Sequence, residues 1–214
     1  GRNGGESGAD AAGTEARFRS RLAAFRAAGL PPLVAPPPAP TEAAVLRRAL
    51  TPLVELGPGW EAVPERFAVP TPGNVPLPHV PLALAQAAYG VRADTIWNPR
   101  LVVTTMTFAA GKAGEALAHF GHAAGAWPAY EQTWGGARWW TTVRAVASVP
   151  DAGLLLAVTD RELVSDGTWE GLVWAARCHD VLVVVQYQAA AARLGPDYQA
   201  WVSDLGMRVV ARLS

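Results

Sequence analysis

Cysteine is almost absent from this chain. Cys178 stands alone among 214 residues, so no intrachain disulfide is possible and a cysteine-based zinc site lacks its thiols. Lysine is equally scarce, with Lys112 set against 17 arginines. The 18 basic and 18 acidic residues cancel, and no dense basic stretch occurs. Phosphate backbones are held by clustered Lys and Arg, so nucleic acid is not an expected partner. No apolar run reaches the ~20 residues that span a bilayer. Missing too are a Gly-x-Ser-x-Gly elbow, a phosphate loop, a dinucleotide fingerprint and a His-Glu-x-x-His helix. No catalytic residue and no cofactor are therefore expected.

What remains is a globular composition. Half of the residues are hydrophobic and only 17% are charged, which permits a packed core. The length suits one well-buried domain plus a flexible end. Residues 1–40 read as that end: a Gly- and Ala-rich leader, a short helix over Thr14 to Ala28, and a Pro-rich linker from Pro31 to Pro40. Proline withholds the amide that a helix needs and restricts its predecessor, so the linker marks the domain boundary. Residues 41–214 are expected to form a single domain.

Within that domain the patterns alternate between helix and strand. Thr41 to Leu50 predicts a short helix with Ala44, Val45 and Leu46 inward. Leu56-Gly57-Pro58-Gly59-Trp60 is a turn, followed by a proline-punctuated segment to Pro81. Leu82 to Tyr89 reads as a helical turn or two. Val91 to Trp97 and Leu101 to Phe108 read as strands joined at Asn98-Pro99. Lys112 to Ala124 has the stripe of an amphipathic helix. Trp139 to Val146, Leu154 to Thr159, Gly171 to Arg177 and Val181 to Tyr187 then follow as strands with short links. Short links imply antiparallel pairing, because a parallel crossover needs a dozen residues or more. Gly195-Pro196-Asp197 opens a last helix whose stripe is Tyr198, Trp201, Val202, Leu205 and Val209. The expected fold is α+β: an antiparallel β-sheet of five to six strands, ending in a meander, with helices packed mainly on one face.

Two stretches carry a family resemblance. They are Leu53-Val54-Glu55-Leu56-Gly57-Pro58-Gly59-Trp60 and Ala175-Ala176-Arg177-Cys178-His179-Asp180-Val181-Leu182-Val183-Val184-Val185. With the order of elements, they make Thr41 to Ser214 similar to the extracytoplasmic sensor domains of actinobacterial serine/threonine kinases and to related actinobacterial lipoproteins. The second stretch looks like that group's arginine-turn-valine hairpin, with His179 where a glycine is usual. The resemblance implies a non-enzymatic domain at the cell envelope, outside the cytoplasmic membrane, tethered by a lipid or a transmembrane helix. A start at Gly1 rather than Met agrees with removal of such an anchor. An unidentified small molecule, lipid or protein is the implied partner, and a monomer or weak dimer is expected.

The facing of side chains along each strand nominates the site. Neighbouring residues of a strand face opposite ways, so Trp139 and Trp140 cannot enter one core. Trp139 joins an apolar row with Thr141 and Val143, while Trp140 joins Thr142 and Arg144. Matching rows by polarity places Arg177 and Gln186 beside Trp140, Thr142 and Arg144. That mixed face is the expected cleft for an amphipathic or anionic ligand. The alternative is a metal-binding protein or metal-assisted hydrolase using a helix face of Glu115, His119 and His122, within about 60° of one another at helical spacing. An ordinary solvated helix surface competes with it, and His79 is the one further recruit. Cys178 beside His179 is not a catalytic pair, since adjacent residues of a hairpin diverge.

Overall fold

Strand β8, Val181–Ala190, begins with five consecutive β-branched or leucine residues, the signature of a strand covered on both faces. The computed structural model describes residues 42–64, 71–91, 99–134, 136–149, 153–165, 167–191, 195 and 197–214. Pro40–Ser214 forms one compact unit. The leader, the helix over Thr14 to Ala28 and the Pro-rich linker lie outside the described residues.

Eight strands make one antiparallel sheet in the order β1-β2-β3-β8-β7-β6-β5-β4. They are β1 Trp60–Val63, β2 Ala83–Val91, β3 Arg100–Thr107, β4 Ala129–Trp134, β5 Ala137–Val149, β6 Gly153–Glu162, β7 Thr168–Cys178 and β8. The sheet is wider than the five to six strands expected. β1, β2 and β4 are the additions, and β1 and β4 are short edge strands that each carry a charge. Leu82 to Tyr89 is not helical: β2 occupies it, held between β1 and β3. Its alanines favour a helix in isolation, and the two ladders override that preference. The expected strand over Val91 to Trp97 falls mostly outside the described residues.

Helix α1, Glu42–Ala49, and helix α3, Tyr198–Leu213, pack on one face of the sheet over β2, β3, β7 and β8. Helix α2, Lys112–Ala126, packs on the other, over β5 to β8. The helices therefore flank both faces, and the centre of the sheet is dry on both sides. Leu101, Val103, Trp174, Val183 and Val185 meet α1 and α3, while Met106, Val173, Leu182 and Val184 meet α2. In α1 the buried residues are Leu46 and Ala49, and Val45 is exposed. The Leu56-Gly57-Pro58-Gly59 turn carries positive φ at both glycines and delivers Trp60 onto Trp201 of α3, rings 5.9 Å apart. Arg212 of α3 bonds to Glu55 and to the carbonyls of Ala49 and Leu50, tying the end of α1 to α3.

The β7–β8 hairpin closes through His179 and Asp180. His179 has φ of +52°, the left-handed conformation that glycine adopts most freely. Asp180 accepts a hydrogen bond from the Gly111 amide at 3.0 Å, at the entrance to α2.

Gly206 of α3 lies against the indole of Trp174, which is fully buried; a Cβ there would stand 2.3 Å from the ring. Alanine improves helix propensity by about 1 kcal/mol, but forcing a methyl into a filled core costs about 1–3 kcal/mol. Gly206→Ala is therefore expected to lower stability, whereas Gly121→Ala on the open side of α2 raises it by up to about 1 kcal/mol. Urea-denaturation midpoints that move in the same direction for both variants would contradict this packing.

Candidate ligand-binding site

Register decides which side chains share a face. Trp140 stands opposite Glu131 and Arg161, Thr142 opposite Ala129 and Thr159, and Arg144 opposite Ala157. Ala157 in turn faces Leu172, whose row belongs to the core beneath α1 and α3. The Trp140 row thus lies on the α1/α3 face, beyond the two helices. Ala129, Glu131, Trp140, Thr142, Arg144 and Arg161 are all exposed there, Trp140 at 44%. This outer half of the face, across β4, β5 and β6, is an open platform. Arg138 and Glu131 pair at 2.5 Å along its edge, and the Arg138 guanidinium holds that carboxyl below its usual range.

Arg177 and Gln186 are not part of it. Arg177 faces Leu182, and Gln186 faces Val102 and Val173, all on the α2 face. The expected five-residue cleft is therefore split, with Trp140, Thr142 and Arg144 on one side of the sheet and Arg177 and Gln186 on the other. The central strands are apolar on both faces, so polarity does not mark which rows align.

The α2 face holds a polar cluster that the sequence reading missed. Asp160 of β6 is 9% exposed and accepts hydrogen bonds from Thr141 of β5, Gln132 of β4 at 3.3 Å and Gln188 of β8 at 2.5 Å. Gln188 lies opposite Gly171 of β7, where a Cβ would stand 2.1 Å from the Tyr187 carbonyl oxygen. No side chain fits there, and the Gln188 amide crosses β7 to reach the carboxylate. Gln132 also accepts from Asn74 at 3.4 Å, which links the cluster to the loop that Trp127 covers at Gly73. Burial pushes the Asp160 carboxyl above its ordinary value of 3.8, against the three hydrogen bonds that lower it. An acid on the row of Leu154, Leu156 and Val158 was the available signal.

The helix-face alternative does not assemble. Glu115 pairs with His79 at 2.5 Å and with Lys112 at 2.6 Å; Lys112 and then His79 hold its carboxyl below its usual range. The Nε2 of His119 is buried without a hydrogen-bond partner among the described residues, and His122 is exposed. Among the described residues, no three His, Cys, Asp or Glu side chains gather as a metal site would require. Cys178 is buried, with its sulfur 3.7 Å from the Ser214 hydroxyl. No helix of the described residues is long and apolar enough to cross a membrane.

No protein-family model matches the chain, and no curated protein matches it in sequence. Among solved structures it is similar to the extracellular domain of PknH from Mycobacterium tuberculosis, with 15% identity and a TM-score of 0.43. That likeness covers 61% of this chain and 63% of the other, less than two thirds of its length.

The Asp160 cluster sets a pH dependence with a definite sign. Because the folded state keeps its proton to higher pH than the unfolded chain, the contribution is complete below 3.8 and declines as pH rises through the raised folded value. Asp160→Asn removes this decline, since Gln132 and Gln188 can turn their amides to meet the new donor. Its stability relative to wild type is expected to climb between acid and neutral pH. Asp160→Ala instead orphans the donors and costs about 1–3 kcal/mol. Chemical denaturation of the three proteins at stepped pH measures both effects, and parallel profiles for wild type and Asp160→Asn would refute the first.

Proposed function

We propose that residues 41–214 form a non-enzymatic, sensor-like binding domain that engages a small molecule, lipid or protein through the open platform of β4, β5 and β6. The observation that carries this reading is Trp140, 44% exposed at the centre of the platform, with Thr142 and Arg144 exposed on the same row of β5. An exposed indole on a regular strand offers a large contact surface with two rotatable bonds to order, a low entropic cost for binding. A guanidinium on the same row adds directional donors for an acidic group. Ala129, Glu131, Thr159 and Arg161 complete the platform around them, with Glu131 engaged by Arg138.

The extracytoplasmic, cell-envelope address rests on the resemblance of the Leu53–Trp60 and Ala175–Val185 stretches to actinobacterial kinase sensor domains and lipoproteins. A tethered domain of that kind meets its ligand outside the cytoplasmic membrane and transmits occupancy rather than product.

Nuclear magnetic resonance of the isotope-labelled chain tests the platform while the ligand is still unidentified. Separated glycan, lipid and peptide fractions of a bacterial envelope are added in turn. One of them is expected to shift the Trp140 indole and the Thr142 and Arg144 amides, with the shifts lost in Trp140→Ala. Perturbations confined to other surfaces, or persisting unchanged in Trp140→Ala, would refute the assignment.

A further inference from the structure

Resting on the reading of the platform as a binding surface, we infer that its ligand is an acidic oligosaccharide chain, stacked on Trp140 and held by a carboxylate at Arg144. Trp140 and Arg144 are four residues apart on β5, about 13 Å at the usual strand rise. That backbone separation suits a ligand that extends along β5 for more than one sugar ring. Between them the floor is low: Thr142 with its neighbours Ala129 and Thr159, then Ala157 opposite Arg144. Methyls and hydroxyls leave a flat, hydrogen-bonding strip along which a second and third ring can lie.

The two ends differ in chemistry. The exposed indole presents a flat π face, which attracts the polarised C–H groups of a sugar ring. Arg144 is exposed, faces Ala157 rather than a carboxylate, and is followed at once by the register shift between Ala145 and Ala147. Such bulges bend a strand and re-aim its side chains, and they recur beside functional sites. Arg161 stands opposite Trp140 at the stacking end, and Glu131 on its other side is engaged by Arg138.

Other ligand classes fit less well. A peptide added as a strand needs the backbone donors of a sheet edge, and a sheet face offers none. A bilayer needs aliphatic side chains to insert, and the strip between Trp140 and Arg144 has only alanine and threonine. A nucleic acid needs a dense row of cations, against a net charge of zero overall.

The experiment is calorimetric titration of the full chain with tetragalacturonate, with its neutral galactose tetramer, with phosphatidylglycerol vesicles and with oligothymidylate. Tetragalacturonate is expected to bind, weakening with salt, and to lose about tenfold in affinity in Trp140→Ala and again in Arg144→Gln. Circular dichroism confirms that both variants stay folded. Equal affinity for the neutral tetramer would overturn the acidic part of the inference. Binding of vesicles or oligothymidylate, lost in the same variants while both tetramers fail, would overturn the glycan class and leave the platform as a binding surface. Tetramer binding that both variants retain would refute the site itself.

Discussion

The pairing of β3 with β8 is the interaction on which the rest of this structure depends. β1, β2 and β3 form one antiparallel run, β4 to β8 form another, and among the described residues the β3–β8 ladder alone joins the two in the sheet. It lies at the middle of the sheet, with α1 and α3 toward one face and α2 toward the other. Val103, Thr105, Val183 and Val185 point one way, and Thr104, Met106, Leu182 and Val184 the other, all buried. Across that seam the core beneath α1 and α3 is continuous, since Leu101 and Val103 of β3 cluster with Trp174, Val183 and Val185. α3 rests on β7 and β8 but reaches α1 on β2 and β3, and the Arg212–Glu55 pair spans the same divide.

Covering both faces at the centre has a consequence for function. The sheet is eight strands wide, whereas α1 and α3 cover their face only as far as β7 and its immediate border. β5 and β6 extend past them, so Trp140, Thr142 and Arg144 are left open on one side while Trp139 and Val143 are buried on the other. The two adjacent tryptophans thus divide the labour of a single strand. One is buried and the other meets solvent.

Much of the architecture was legible because the meander advertises itself through β-branched runs and short turns. The rows within each strand were also legible: Leu172, Trp174, Ala176 and Cys178 do share a face, as do Val181, Val183, Val185 and Tyr187. The matching of rows between β5 and β7 was not, because it passes through β6 and the link at residues 150–152, and a slip of one residue exchanges the faces. Polarity could not arbitrate, since Val173, Ala175, Leu182 and Val184 are as apolar as the opposite row. Asp160 escaped notice for a related reason: reading β6 as ending at Thr159 left the acid in a loop. Its importance comes from three strands converging on it, which no local pattern encodes. β2 was hidden by its alanines, and the edge strands β1 and β4 by their shortness.

The run Val181 to Val185 carries one more implication. In the finished sheet it is hydrogen-bonded on both edges, by β3 and β7, and Leu182 to Val185 are buried. In a nascent or partly opened chain the same five residues are an uncharged, strongly strand-forming segment without proline, the composition that seeds intermolecular stacking. Asp180 on one side and the amide of Gln186 on the other are the polar residues that border it. Their placement limits how far a stray strand from a second chain can extend along the run, so solubility during folding depends on the ends of β8 as much as stability depends on its middle.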